Sequence, residues 1–214
     1  MRTSWPFPER RIIEGDAVSL RPLDVERDVA ALWAISHGTT EKEAIWKYLP
    51  YGPFETAEAM KTRMKAEFID SDAHLLWTVF DRKRDRQVGT VGLLNIVALH
   101  GRAEIGHVWL GRESHKTNIN TETQFQMLRF LFDEWGYRRV EWKCDSLNHA
   151  SRTTASRMGF SFEGRFRQHM VLRGKNRDTD YFAMTDKEWP RCKANFQAWL
   201  DSHGTISLAE LNLG

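Results

Sequence analysis

The chain has 214 residues, 41% of them hydrophobic and 28% charged, and its 31 basic and 29 acidic residues leave a formal net charge of +2. That length suits one α/β domain burying roughly 70% of its unfolded surface, and the balanced, mixed composition argues against disorder, a fibrous repeat, and strong attraction to nucleic acid or membrane. Cys144 and Cys192 lack any near ligand partner, no run approaches the ~18 apolar residues of a membrane span, and Met1–Arg11 lacks the apolar core of a signal peptide, so a reduced, cytoplasmic protein is expected.

Residues 1–16 read as an irregular arm, 17–202 as the domain and 203–214 as a tail. Ala17 to Leu23 alternates apolar and polar residues and predicts a strand; Val29, Leu32, Trp33 and Ile35 then repeat at helical spacing. Ile45 to Phe54 sets aromatics among Pro50, Gly52 and Pro53, which predicts a rigid loop, and Thr56 opens a helix running to about Ile69. Leu75 to Phe80 and Val88 to Val97 predict a hairpin. Its turn carries Arg82, Lys83, Arg84 and Arg86 interleaved with Asp81 and Asp85, a solvated surface rather than a phosphate patch.

Ala103 to Leu110 makes the next strand. From Thr121, the positions Phe125, Leu128, Leu131, Phe132 and Trp135 predict a helix ending at Gly136, where a left-handed cap is wanted. Arg139 to Cys144 is a strand, Asn148 to Met158 a helix closed by Gly159, Phe160 to Leu172 with Thr179 to Thr185 a hairpin, and Glu188 to Leu200 a final helix. The order is strand, two helices, three strands, helix, strand, helix, two strands and a C-terminal helix. An antiparallel meander joined to one βαβ crossover makes the class α/β, with a mixed, mostly antiparallel sheet flanked by helices.

Two segments carry chemistry. In the first, the strand carrying Glu104-Ile-Gly-His passes through a polar turn into a helix, whose N-terminus gathers backbone N–H groups and the positive end of the dipole, so it suits a pyrophosphate. Asn118 and Asn120 tolerate left-handed backbone there, while Thr121 and Gln124 equally fit a helix capping box. In the second, Asn148 stands at a helix start with Ser151 one turn in, a placement that also serves ordinary capping. Taken singly, each segment leaves both readings open.

In this order and spacing, Glu104-Ile-Gly-His, Asn148-x-x-Ser151 and the closing Gly159-Phe160 resemble the acyl-CoA half of the GNAT superfamily, in its RimJ/RimL-like branch of ribosomal-protein acetyltransferases. The resemblance spans roughly residues 17–189. It implies that His115, Lys116, Thr117, Asn118, Ile119, Asn120 and Thr121 lie where the family binds the CoA pyrophosphate. The family's glycines are replaced there by Asn118 and Asn120, whose Cβ atoms crowd the backbone approach. The co-substrate so implied is acetyl-CoA, and the reaction is direct attack by an amine in a ternary complex.

Acyl transfer from a thioester needs a neutral amine, a polarised carbonyl and a protonated leaving thiolate. By resemblance, Glu104 is the base, directly or through water; a carboxylate paired with Arg102 or Arg139 at the sheet is the competing reading. The backbone of Val108, Trp109 and Leu110 faces the acyl group, with Gly106 able to seat a bulge that frees an N–H. Many relatives use a tyrosine to protonate the thiolate. Here that position is Ala155, which leaves Ser151 as the donor and Asn148 to hold the pantetheine.

The resemblance places specificity in Trp46, Tyr48, Tyr51, Phe54, His107 and Arg167, although such aromatics more often pack a core. The expected acceptor is a protein N-terminus. A small amine such as a polyamine, amino acid or antibiotic, and a non-catalytic acyl-CoA-binding relative, are the alternatives. No nucleic-acid or membrane partner is expected, a homodimer through the sheet edge or final hairpin remains open, and the eight histidines show no metal-ligand spacing.

Overall fold

A computed structural model describes residues 3–71 and 74–213, with the side chain of Leu213 excepted; the first two residues of the arm and the last of the tail lie outside it. Its strands are β1 (Ile13–Glu14), β2 (Val18–Pro22), β3 (Leu75–Asp81), β4 (Arg86–Val97), β5 (Arg102–Leu110), β6 (Arg139–Asp145), β7 (Ser161–Leu172) and β8 (Lys175–Thr185). The helices are α1 (Val25–Ser36), α2 (Thr40–Glu43), α3 (Ala57–Met64), α4 (Ile119–Arg129), α5 (His149–Arg157), α6 (Trp189–Asp201) and α7 (Leu208–Leu213). The strands follow the order β1-β2-β3-β4-β5-β6-β8-β7, and the pairs β1/β2, β2/β3, β3/β4, β6/β8 and β7/β8 are antiparallel. This is the mixed α/β class expected.

Contacts divide the chain into two compact units. The first holds the described residues of Met1–Phe7, Val97–Glu104 and Met127–Gly214, and the second holds Pro8–Ile96 and Ile105–Gln126.

In the second unit, Asp24 caps α1 by accepting from the backbone of Glu26 and Arg27, and Thr56 caps α3 by accepting from Ala59. The apolar faces of these helices bury Val25, Val29, Leu32, Met60 and Met64 against Trp46, Phe68, Leu76 and Trp109. The segment expected as a rigid loop winds into a 3₁₀ turn over Ala44–Tyr48, which drives Trp46 into that core, 1% exposed. Gly52 has φ +67, and a Cβ there would lie 2.6 Å from the Trp46 ring, so glycine is required.

In the first unit, β6 pairs with β8 so that Trp142 faces Phe182, and the stacked rings of Phe132 and Trp189 lie 5.4 Å apart. The β7/β8 hairpin turns on Arg173 and Gly174, both with positive φ. Two such residues suit the right-handed twist of a tight hairpin. Strand β8 therefore starts at Lys175, four residues before the apolar run that predicts it.

The arm and the tail both carry structure. Trp5 donates its indole N–H to the Gly136 carbonyl at 2.6 Å, and Ile13–Glu14 pairs with β2. Helix α7 packs through Asn212, which donates to the Arg157 carbonyl at 2.9 Å. Among the described residues, no helix is long and apolar enough to cross a membrane.

Candidate active site

Strand β5 from Ile105 onward and the turn after it carry the candidate residues of the second unit. His107, not Gly106, takes the left-handed conformation, with φ +50. Histidine is among the residues that tolerate this region, and the His107 carbonyl accepts from Thr90 Oγ1 at 2.7 Å. Past this residue Val108 is partly exposed, whereas Trp109 and Leu110 are buried.

The following turn differs from the expected one. Its left-handed residue is Lys116, with φ +59, and α4 opens two residues early. The Asn118 carbonyl accepts from the Glu122 backbone as the first bond of the helix, while Thr117 Oγ1 accepts from the Ile119 N–H at 3.3 Å. Asn120 and Thr121 therefore belong to the first helical turn, and Gln124 donates to the Asn120 side chain instead of closing a capping box with Thr121. His115 and Lys116 remain exposed at this positive helix end, with His115 Nε2 3.0 Å from the Leu110 carbonyl. Beside the turn, Ile35, Lys42, Arg86, Val88 and Arg112 line a pocket of about 420 Å³.

Glu122 is buried and accepts from the Ala17 N–H through both oxygens, at 2.9 and 3.0 Å. Burial raises its carboxyl above the ordinary value, partly offset by those backbone donors. It ties the residues before β2 to α4.

The other group of site residues belongs to the first unit. Glu104 is 6% exposed and pairs with Lys143, Nζ to Oε2 2.8 Å. This corrects the expected pairing. Arg102 and Arg139 both hold Glu141 instead, and Lys143 also reaches Glu141 at 2.9 Å. Burial alone would lower the Lys143 ammonium, but the two carboxylates outweigh it and raise the group above its usual value.

Asn148 caps α5 by accepting from the Ser151 N–H at 3.1 Å, and Ser151 Oγ accepts from the Trp142 indole at 2.9 Å. Burial pushes the nearby Cys144 thiol above its usual value. Ala155 is fully buried, so its position presents no acid of any kind.

Of the six specificity residues, Trp46, Tyr51, Phe54 and His107 come together in the second unit. Tyr51 stacks on His107 with centroids 5.5 Å apart, and its hydroxyl meets His107 Nδ1 at 3.0 Å. Burial, reinforced by His74 and Arg63, pushes the His107 pKa down to about 3, so the ring is neutral. Phe54 donates its backbone N–H to His37 Nε2 at 3.0 Å. Tyr48 is half-buried under the Lys47 ammonium, and Arg167 is exposed where β7 departs from register in the first unit. Sequence reasoning missed Lys143, His37, Glu67 and His74, since nothing local marks them.

A family model described as an acetyltransferase (GNAT) domain matches residues 18–161. A solved GCN5-related N-acetyltransferase from Brucella melitensis is 36% identical, covers 100% of this chain and 99% of its own, and superposes with a TM-score of 0.91. A Chromobacterium violaceum structure assigned to the GNAT family is 41% identical over 87% of this chain and 92% of its own, with a TM-score of 0.81. Among curated proteins, YdaF of Bacillus subtilis, named provisionally as a ribosomal N-acetyltransferase, is 29% identical over 101 residues, 47% of this chain. The chain spans about half the length of that relative, 55%.

Proposed function

The chain belongs to the GNAT acetyltransferases, enzymes that transfer an acetyl group, and on that premise we propose that it acetylates the α-amine of a protein N-terminus with acetyl-CoA as donor. The observation that supports acetyl-CoA as donor is the segment from β5 into α4, with exposed His115 and Lys116 at a positive helix end. Residues 115–121 hold the pyrophosphate there, and the Lys116 ammonium supplies charge that the family's glycine turn leaves to backbone amides. That Asn118 begins the helix and Asn120 lies within it, with regular helical bonding from the first turn, supports this arrangement.

In the proposed reaction, Glu104 takes a proton from the attacking amine, directly or through one water, with Lys143 fixing its carboxylate. The β5 backbone at Val108, Trp109 and Leu110 polarises the thioester carbonyl. Asn148 holds the pantetheine, and Ser151 passes a proton to the departing sulfur. An α-amine, with a pKa of about 7.7 to 8.0, needs less help from a base than a lysine amine at about 10.4, which suits a carboxylate already paired with an ammonium. Tyr48, Tyr51, Phe54, His107 and Arg167 contact the acceptor, and Trp46 holds the aromatic wall from behind.

The name of YdaF supports a ribosomal-protein terminus as acceptor. Two buried free thiols, Cys144 and Cys192, support a reducing, cytoplasmic setting. Edge strand β7 exposes Phe162, Phe166, Met170 and Val171, which supports a homodimer through the final hairpin.

Thiol release from acetyl-CoA, measured against peptides with free N-termini, Nα-blocked lysine peptides and spermidine, tests the acceptor. The free-terminus peptides are expected to give the highest kcat/KM, with mass added at the α-amine. Spermidine in first place would replace the acceptor with a small amine, and binding without transfer to any acceptor would make the chain a non-catalytic acyl-CoA binder.

A further inference from the structure

Three side chains far apart in sequence meet in the second unit. Glu67 follows α3, His74 precedes β3 and His107 lies on β5, and each brings one ligand-type atom within 4.8 Å of the other two. The two histidines carry the signal. His107 bonds Tyr51 through Nδ1, yet its Nε2 is buried with no hydrogen-bond partner. His74 Nδ1 is likewise buried without a hydrogen bond, and lies 3.7 Å from Glu67 Oε1.

A buried imidazole nitrogen without a partner is unfavourable in either tautomer. With the proton on Nδ1 of His107, the Nε2 lone pair faces no donor; with the proton on Nε2, the N–H faces no acceptor. A cation shared with the neighbouring imidazole and carboxylate removes the deficit.

We propose that Glu67, His74 and His107 bind a divalent transition-metal ion, zinc above all. Two imidazoles and one carboxylate, with a fourth position left to water, form a ligand set suited to that ion. The supporting contacts are already in place. The Tyr51 hydroxyl lies 3.0 Å from His107 Nδ1, so it can accept a hydrogen bond from that nitrogen in the tautomer whose lone pair is on Nε2, and Arg63 Nη2 holds the far oxygen of Glu67 at 2.7 Å. Phe68 closes the inner side of the His107 ring, centroids 4.9 Å apart, whereas the His74 side chain is 29% exposed and gives an ion its way in. Because the ligands come from three separate segments, no short histidine spacing announces them. The ion would share His107 with the acceptor wall proposed above, but the test below reads metal binding alone and does not depend on which amine is acetylated.

The test uses the full chain, stripped of metal by a chelator and titrated with zinc chloride by calorimetry, then with cobalt(II) by visible absorption. One ion per chain is expected, together with the intense absorption of low-coordinate cobalt. His74→Ala and Glu67→Gln should each weaken zinc by about tenfold or more. Both sites touch solvent, and the two variants check one another should either fold poorly, which circular dichroism of the metal-free proteins reads. No saturable binding by the wild type, or wild-type affinity in either folded variant, overturns the proposal.

Discussion

Lys116 and Glu104 illustrate what single residues contribute. Lys116 is exposed in a left-handed turn at the start of α4, so reversing its charge alters an anion's surroundings with little effect on the core. Lys116→Glu is expected to raise the KM for acetyl-CoA by about five- to tenfold while kcat stays within about twofold, in steady-state kinetics. Glu104→Gln keeps the volume and removes the proposed base, so kcat with a peptide acceptor should fall by roughly 10²-fold near neutral pH. Part of that loss should return at high pH, where more of the amine is free. Ser151→Ala removes the acceptor of the Trp142 indole as well as a hydroxyl, which predicts a loss of about 1–3 kcal/mol in urea unfolding alongside any kinetic effect. The types of these residues were legible in the sequence and their partners were not. Lys143 reaches Glu104 across 39 positions of chain, a distance in sequence at which no periodicity speaks, and the left-handed residue of β5 is the histidine beside the glycine that seemed made for it.

Elements were more legible than contacts because their signals are local. Apolar spacing located α1 and α4, capping residues located α3 and α5, and apolar runs located both hairpins. The shortfalls have physical reasons. Helix α4 opens at Ile119 because the Asn118 carbonyl and the Thr117 hydroxyl serve its first turn, while the Thr121 pattern copies a cap from inside the helix. Helix α7 follows a polar stretch and is held by Asn212 contacts that become visible only once α5 and α6 are in place.

Glu122 makes the joint between α4 and β2 sensitive to pH. Its carboxyl is raised by burial, so the folded state holds that proton more tightly than the unfolded chain does. The associated stability is fully present below about pH 4 and is lost as pH rises through the raised value. Glu122→Gln should therefore gain stability relative to wild type between pH 5 and pH 7, as read by urea unfolding. Trp46→Ala, which empties the centre of the aromatic core behind Tyr51, should cost about 3–5 kcal/mol.

At the scale of the molecule, the sheet class and the family were readable from the order of the elements and a few spaced motifs, and the match over residues 18–161 rests on the same stretch. The sequence left a homodimer through the sheet edge or final hairpin open, and which strand forms that edge becomes visible only when β7 is seen to end the sheet. If the proposed homodimer uses this edge, changing Val171, 77% exposed, and Phe166 to glutamate should leave a monomer in sedimentation equilibrium where the wild type is a dimer.

The central claim, that residues 115–121 and the elements around them bind acetyl-CoA, is tested most directly by thermal unfolding with and without that ligand. At about 100 times its dissociation constant, acetyl-CoA should stabilise the fold by about 2.7 kcal/mol, raising the midpoint by roughly 5–10 °C, with a smaller rise at the same concentration in Lys116→Glu. An unchanged midpoint for the wild type at millimolar acetyl-CoA would contradict the account.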